Sequence, residues 1–213
     1  MASATVPLLL EEGRTKVFVR ALPWPGWCRT AKTPELAIDQ LLGHAPRYAQ
    51  VAKRAGLTFP KTPLLEIVER VPGDSTTEFG APSAHATADD EPLIGKELAR
   101  WIALLEASWA TIDEIAAASA EELVKGPRGG GRNRTKMLQH ALDAERAYAP
   151  KIGARTKPAD CSDSTAVAAN RVAVIAALRA DQSGKWPVRY WLHRSIWHVL
   201  DHAWEMQDKQ PLQ

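Results

Sequence analysis

The chain has 213 residues, of which 45% are hydrophobic and 24% charged, with a formal net charge of +2. That length allows one large domain or two small ones, and so small a charge gives no reason to expect a nucleic-acid partner. No apolar run approaches the ~20 residues of a membrane span, and Cys28 and Cys161 stand alone, without the CxxC spacing of a zinc ribbon or a disulfide framework. A reduced, cytoplasmic setting is the expectation. The compositional oddity is eight tryptophans, four of them (Trp186, Trp191, Trp197, Trp204) in or beside one stretch near the end.

The first third reads as mixed α and β. VPLLL near the start is too short for the apolar core of a signal peptide, and no element is assigned to it. Lys16–Ala21 alternates apolar and polar residues as a half-buried strand does. LPWPG follows as a turn, and residues 27–30 can return as a short strand. Thr33 is placed to cap a helix, with Pro34 at its first position and Glu35 in its first turn. Leu36, Ile38, Leu41, Leu42, Ala45 and Ala49 give that helix an apolar stripe up to about Gly56. Leu64–Val71 is a third strand that ends before Pro72-Gly73. Two strands, a helix and a strand within about 60 residues form a small α+β unit, ββαβ in order. Arg14, Lys16, Arg20, Arg29 and Lys32 are scattered over it and are expected at solvated strand edges.

LPWPGWCRTAKTPELAIDQL resembles the HicB-like domain, in which a Pro-Gly turn is followed seven residues later by a Thr that opens a helix. The matching positions are Pro25-Gly26 and Thr33. The sequence departs from the pattern at Trp27, where the family has a small residue or Cys, and Cys28 is displaced by one. The resemblance covers about residues 14–72. It implies a protein partner met through this domain, or a homodimer formed through it.

Gly73–Glu91 is small and polar, with Gly, Pro and Ser, and reads as a linker over 74–91. His85 is expected in solvent there, and Phe79 to pin the segment to a neighbouring surface. From Pro92 the pattern is helical. Residues 92–118 carry Leu98, Trp101, Ile102, Leu105, Trp109, Ile112 and Ile115 on one broad face. Ser119 and Glu122 have the spacing of a capping box for a short turn. Residues 125–136, KGPRGGGRNRTK, break the pattern. Their glycines and arginines could face an anion, but the Gly-Lys-Ser/Thr ending of a phosphate loop is missing, so a connector is expected. A helix over about 133–149 follows, then one capped by Asp163 that reaches Ala180, then residues 187–209 without Gly or Pro between Pro187 and Pro211. Four such helices argue for a four-helix bundle over 92–213. A fragment of about residues 88–213 is then expected to fold alone.

The chemistry lies in the histidines. His198 and His202 are four residues apart, about 40° round a helix and one turn along it, so both rings reach one point. That is the geometry in which helical imidazoles ligate one metal ion, although two such histidines can also be a solvated face. His193 lies about 140° away from His198 and does not belong with the pair. His140, with Met137 and Ala144 as neighbours at core spacing, is expected to face inward from the second helix. It can be a third ligand or a hydrogen-bonded core histidine. Tyr190, Trp197 and Trp204 recur every seven residues, the mark of a packing stripe.

LQHALDAERAY and RSIWHVLDHAWEMQDK together resemble the DinB-like superfamily, a metal-binding four-helix fold that includes bacillithiol- and mycothiol-dependent transferases. The resemblance covers roughly residues 92–208. It implies a divalent metal, zinc or nickel, held by His140 from the second helix and by His198 and His202 from the last, with Glu145 following the first histidine. In the transferases the metal activates a low-molecular-weight thiol, or water, for attack on a small electrophile. Glu145, Asp201, Arg194 and Glu205 are candidates to assist or orient the ligands, and Asp201 could instead pair with Arg194. Two functions are therefore open. One is a metal-dependent thiol S-transferase or hydrolase acting on a small molecule. The other is a non-catalytic binding protein whose HicB-like domain meets a protein partner while the metal is structural.

Overall fold

The computed structural model describes residues 5–126, 131–180 and 184–211. The fold is α+β: an N-terminal sheet unit, then a mostly helical region. The strands are β1 (Thr5–Glu12), β2 (Val17–Ala21), β3 (Cys28–Ala31) and β4 (Leu64–Pro72), in spatial order β3-β2-β1-β4. β1 runs antiparallel to β2 and parallel to β4, so the sheet is mixed. Helix α1 (Pro34–Arg54) connects β3 to β4 and supplies the crossover that a parallel pair requires. Thr33 caps it, accepting a hydrogen bond from the Leu36 amide at 3.3 Å, with Pro34 at the first helical position.

The unit thus contains the expected ββαβ order with one more strand in front. The added β1 is formed by the VPLLL run, and it lies inside the sheet. Val6, Leu8, Leu9 and Leu10 are all buried, because both of its faces are covered. A strand of that kind shows no polar alternation. On one face Val6, Leu8, Leu10, Val17 and Val19 share a core with Ala37, Leu41, Tyr48 and Val51 of α1. The turn after β2 is fastened to the same helix. Trp27 Nε1 donates to the Leu41 carbonyl at 2.9 Å, and the Tyr48 hydroxyl donates to the Pro25 carbonyl at 2.8 Å.

The other face is closed from far along the chain. Residues 74–91 are ordered: α2 (Ser75–Phe79) is capped by Asp74, a single 3-10 turn covers Thr87–Asp90, and Thr77, Ala81, Ala86 and Asp89 are buried. The carboxylate of Glu11, buried on β1, accepts hydrogen bonds from the Thr77 hydroxyl and from the amides of Ser83 and Ala84. Asp89 forms a double hydrogen-bonded ion pair with Arg20 of β2, with both side chains 2% exposed. Arg20 and Arg29 are therefore buried, contrary to their expected place at solvated edges, because each finds a carboxylate or an aromatic ring inside. Phe79 does not pin the segment; it is 86% exposed, and small residues do the packing. His85 is exposed, as expected, with its ring 4.1 Å from that of Tyr190.

The helical region comprises α3 (Gly95–Ala118), α4 (Arg134–Tyr148), α5 (Ser164–Arg179) and α6 (Val188–Asp208). Asn133 caps α4 and Asp163 caps α5 through their side chains. Ser119 opens no further helix. It is the C-cap of α3, and its hydroxyl donates to the Ile115 carbonyl instead. Of the glycine-rich connector, residues 127–130 lie outside the described residues. Among the described residues no helix is long and apolar enough to cross a membrane.

Helix α6 is the axis of the molecule, with 15 of its 21 residues buried. It packs on α3 and α4 on one side and on the sheet unit on the other. The Tyr190–Trp197–Trp204 stripe faces the sheet unit. The Tyr190 hydroxyl donates to the Ser83 carbonyl at 3.2 Å, Trp197 meets Phe18 edge-on at 5.6 Å, and Trp204 lies under the Arg29 guanidinium at 4.8 Å. Gly26, at φ 87°, lets the turn after β2 come against Ile196, whose Cγ2 occupies the space a Cβ would need. One apolar core runs from Val6 and Leu8 of β1 through Trp27 and Leu41 to Leu105, Met137 and Leu200.

Candidate metal centre

Three histidines meet where α4 crosses α6. His140 projects from α4, and His198 and His202 from successive turns of α6. Their ring centroids are 5.2 Å (140–198), 5.0 Å (140–202) and 4.5 Å (198–202) apart. One nitrogen from each lies within 4.8 Å of the others, so the three could hold one metal ion. Nε2 of His198 and Nε2 of His202 are 3.3 Å apart. Two imidazole nitrogens bound to one tetrahedral zinc at 2.0–2.1 Å are about 3.3–3.4 Å apart, so this edge of the polyhedron already has its length.

The surroundings aim the rings and, at His140 and His198, disfavour the charged form. His202 Nδ1 lies 3.2 Å from Glu205 Oε2, and the carboxylate also takes Lys209 Nζ. The hydrogen bond from His202, with the lysine in support, holds the Glu205 carboxyl down at about 2. An ionised partner on Nδ1 keeps the proton there and leaves the Nε2 lone pair facing the other two rings, as carboxylates behind metal-ligating histidines do. His198 is 9% exposed, and burial, with its two histidine neighbours, pushes its pKa down to about 3. Its Nδ1 is buried without a hydrogen-bond partner. Burial lowers His140 as well. Neutral imidazoles with converging nitrogens are what a divalent ion requires.

The other predicted residues separate. Glu205 alone touches a triad member in the orienting role. Asp201 points to the sheet unit, 3.8 Å from Arg29, and so pairs neither with Arg194 nor with a ligand ring. Glu145 sits five residues beyond His140, on the side of α4 that faces α3 and α5. It accepts a hydrogen bond from Trp109 Nε1 beside the Arg171–Asp113 ion pair, and burial raises its carboxyl to about 7. A groove of about 1220 Å³ lies nearby between α3, α4 and α5, with Trp109, Leu138, Leu142, Val167 and Ile175 in its lining and neither Glu145 nor any of the three histidines. His193, as expected, stands apart: its Nε2 lies 3.2 Å from the Leu22 carbonyl and its ring meets Trp101 edge-on.

Sequence reasoning did not find the wall beside His198. Tyr148, at the end of α4, meets the His198 ring edge-on at 6.0 Å and lies 5.6 Å from Trp186. The Arg194 guanidinium stands over both rings, 5.3 Å from Tyr148 and 5.7 Å from Trp186. The i, i+4 spacing of Arg194, His198 and His202 places the arginine one turn from the pair, but the two rings under it come from elsewhere in the chain. Cys28 and Cys161 do not reach this place. Burial pushes the Cys28 thiol far up, so it offers no thiolate.

No protein-family model matches the chain, and comparisons with curated proteins and with solved structures find no match.

Proposed function

We propose that this protein binds a divalent metal ion through His140, His198 and His202 and uses it, as the DinB-like resemblance suggests, to act on a small molecule. The observation that carries the reading is the 3.3 Å approach of two Nε2 atoms with Glu205 behind one of the rings. Three imidazoles leave coordination positions for water or substrate, the arrangement of catalytic rather than closed structural zinc sites. Bound there, the ion would lower the pKa of a coordinated thiol or water and supply a nucleophile near neutral pH. The chain's own residues hold the three lone pairs convergent, disfavour protonation of His140 and His198 by burial, and fix the tautomer of His202 through Glu205. Zinc and nickel both suit an all-imidazole set. Reaction classes in keeping with this are thiol S-transfer and hydrolysis.

Metal analysis of protein purified without an affinity tag tests the reading. The expected result is close to one divalent ion per chain. His140→Ala and His198→Ala should each lose most of it, while His193→Gln should retain it. Equal metal content in all four proteins, or none in the wild type, would remove the site.

A further inference from the structure

We infer that the metal centre receives a small molecule bearing an anionic group, which Arg194 binds one helical turn from the histidines; this rests on the metal-binding reading above. Arg194, His198 and His202 form one ladder on α6, each about 6 Å along the axis from the next. Helical side chains lean toward the N-terminus, so the guanidinium lies beyond His198 on the side away from Glu205. There it stands over Tyr148 and Trp186.

The charge of Arg194 is not matched by the protein. Arg20, Arg29, Arg47, Arg134, Arg171 and Arg189 each have a carboxylate within 4.0 Å. Among the described residues Arg194 has none. Its polar contacts are to the Pro82 carbonyl and to the hydroxyls of Tyr190 and Tyr148, and its Nε is buried without a partner. A partly buried cation supported only by neutral oxygens and ring faces leaves most of its attraction for an anion unused. Lys151 Nζ lies 5.7 Å from the Trp186 ring and adds a second positive charge to the same wall. Of the carboxylates near the triad, Glu205 is at its opposite end and already holds His202 and Lys209, and Asp143 acts on His140, as does the charge of Arg132.

The site is therefore polarised along α6: an anion-seeking end at Arg194, an aromatic surface at Tyr148 and Trp186, then the lone pairs of the triad. The ligand that fits has a metal-seeking atom at one end and a carboxylate or other anionic group at the other, joined by an apolar spacer that lies on the rings. A neutral molecule of the same length would use only the metal and the rings.

The test uses full-length protein loaded with cobalt(II), whose visible spectrum reports ligands, and two probes differing in one group: 6-mercaptohexanoate and 6-mercaptohexanol. Loss of the cobalt spectrum in the wild type would show that the metal reading itself has failed, and the proposal with it. With cobalt bound, the sulfur-to-cobalt band should appear at ~10-fold lower concentration of the carboxylate than of the alcohol. Equal affinity for the two in the wild type overturns the proposal without any variant. Arg194→Gln should keep the cobalt spectrum and abolish the preference, while Arg194→Lys, which retains the charge, should keep part of it. A preference unchanged in Arg194→Gln would overturn the assignment to this residue.

Discussion

Asp89→Asn is the sharpest test of how residues 74–91 belong to the fold. Asp89 and Arg20 are joined by two hydrogen bonds, with both side chains 2% exposed, and Asp89 Oδ2 also accepts from the Ala86 amide at 2.7 Å. The guanidinium has one further neighbour of the right kind, the Tyr190 ring at 5.9 Å. Asparagine keeps an acceptor for Ala86 but removes the negative charge, leaving a cation buried on β2 with nothing to offset its desolvation. Breaking one side of such a pair costs about 3–5 kcal/mol. Arg20→Met should cost a similar amount by orphaning the carboxylate. The double variant, Arg20→Met with Asp89→Asn, carries no buried charge at these two positions and retains the Ala86 hydrogen bond, so it should lose only about 1–2 kcal/mol. Urea unfolding of the four proteins at pH 7, with unchanged m-values, gives the cycle. A double variant as unstable as the sum of the singles would show that the pair is not coupled, and a single costing under about 1 kcal/mol would show that the segment is not closed over Arg20.

Three further outcomes are expected. Glu145 has its carboxyl raised from 4.5 to about 7 by burial, so between those values the folded state holds a proton that the unfolded state has lost. Its contribution is full below about 4.5 and disappears as pH rises through about 7, a fall of about 1–3 kcal/mol given its partial exposure. Melting from pH 5 to 8.5 should show that fall in the wild type and not in Glu145→Gln; parallel curves would contradict it. Gly26→Ala should destabilise by about 2–4 kcal/mol in denaturant melts, through strain at positive φ and collision with Ile196, and a neutral result would mean that the turn does not press on α6. A fragment of residues 88–213 should be aggregated or molten by circular dichroism and dye binding, because it exposes Ile196, Trp197 and Trp204 and lacks the sheet they cover; a cooperative melt would refute this.

How far each feature could be read depended on where its partners lie. Helix α6 and its histidine pair were legible because a helix's faces follow from spacing alone, and the caps Thr33 and Asp163 because a cap needs only the next three residues. β1 was not read because it is buried on both faces and lacks alternation. Residues 74–91 read as a linker because their binding partners, Glu11 and Arg20, lie more than 60 positions away. In the site, His140 lies with the pair, and Glu205 lies against His202. Asp201 was assigned by proximity along its helix and Glu145 by the resemblance, yet Arg29 and Trp109 from other elements decide where those carboxylates point. Only the fold could show that Arg194 has rings beneath it and no carboxylate beside it.

The central place of α6 has a consequence for biosynthesis. Every surface that packs on it (the sheet with its crossing segment, α3 and α4) precedes it in the chain. As the polypeptide emerges from N to C, those surfaces are made first and stay uncovered until residue 208 has appeared. Phe18, Cys28, Leu105 and Met137 then wait in water for one amphipathic helix, and two of the three clustered histidines arrive with it. A ribosome stalled before residue 188 would carry a chain with a folded-looking sheet and an open greasy trough, a species suited to chaperone capture. Completion of the hydrophobic core and assembly of the histidine triad are thus one late event in the life of the nascent chain.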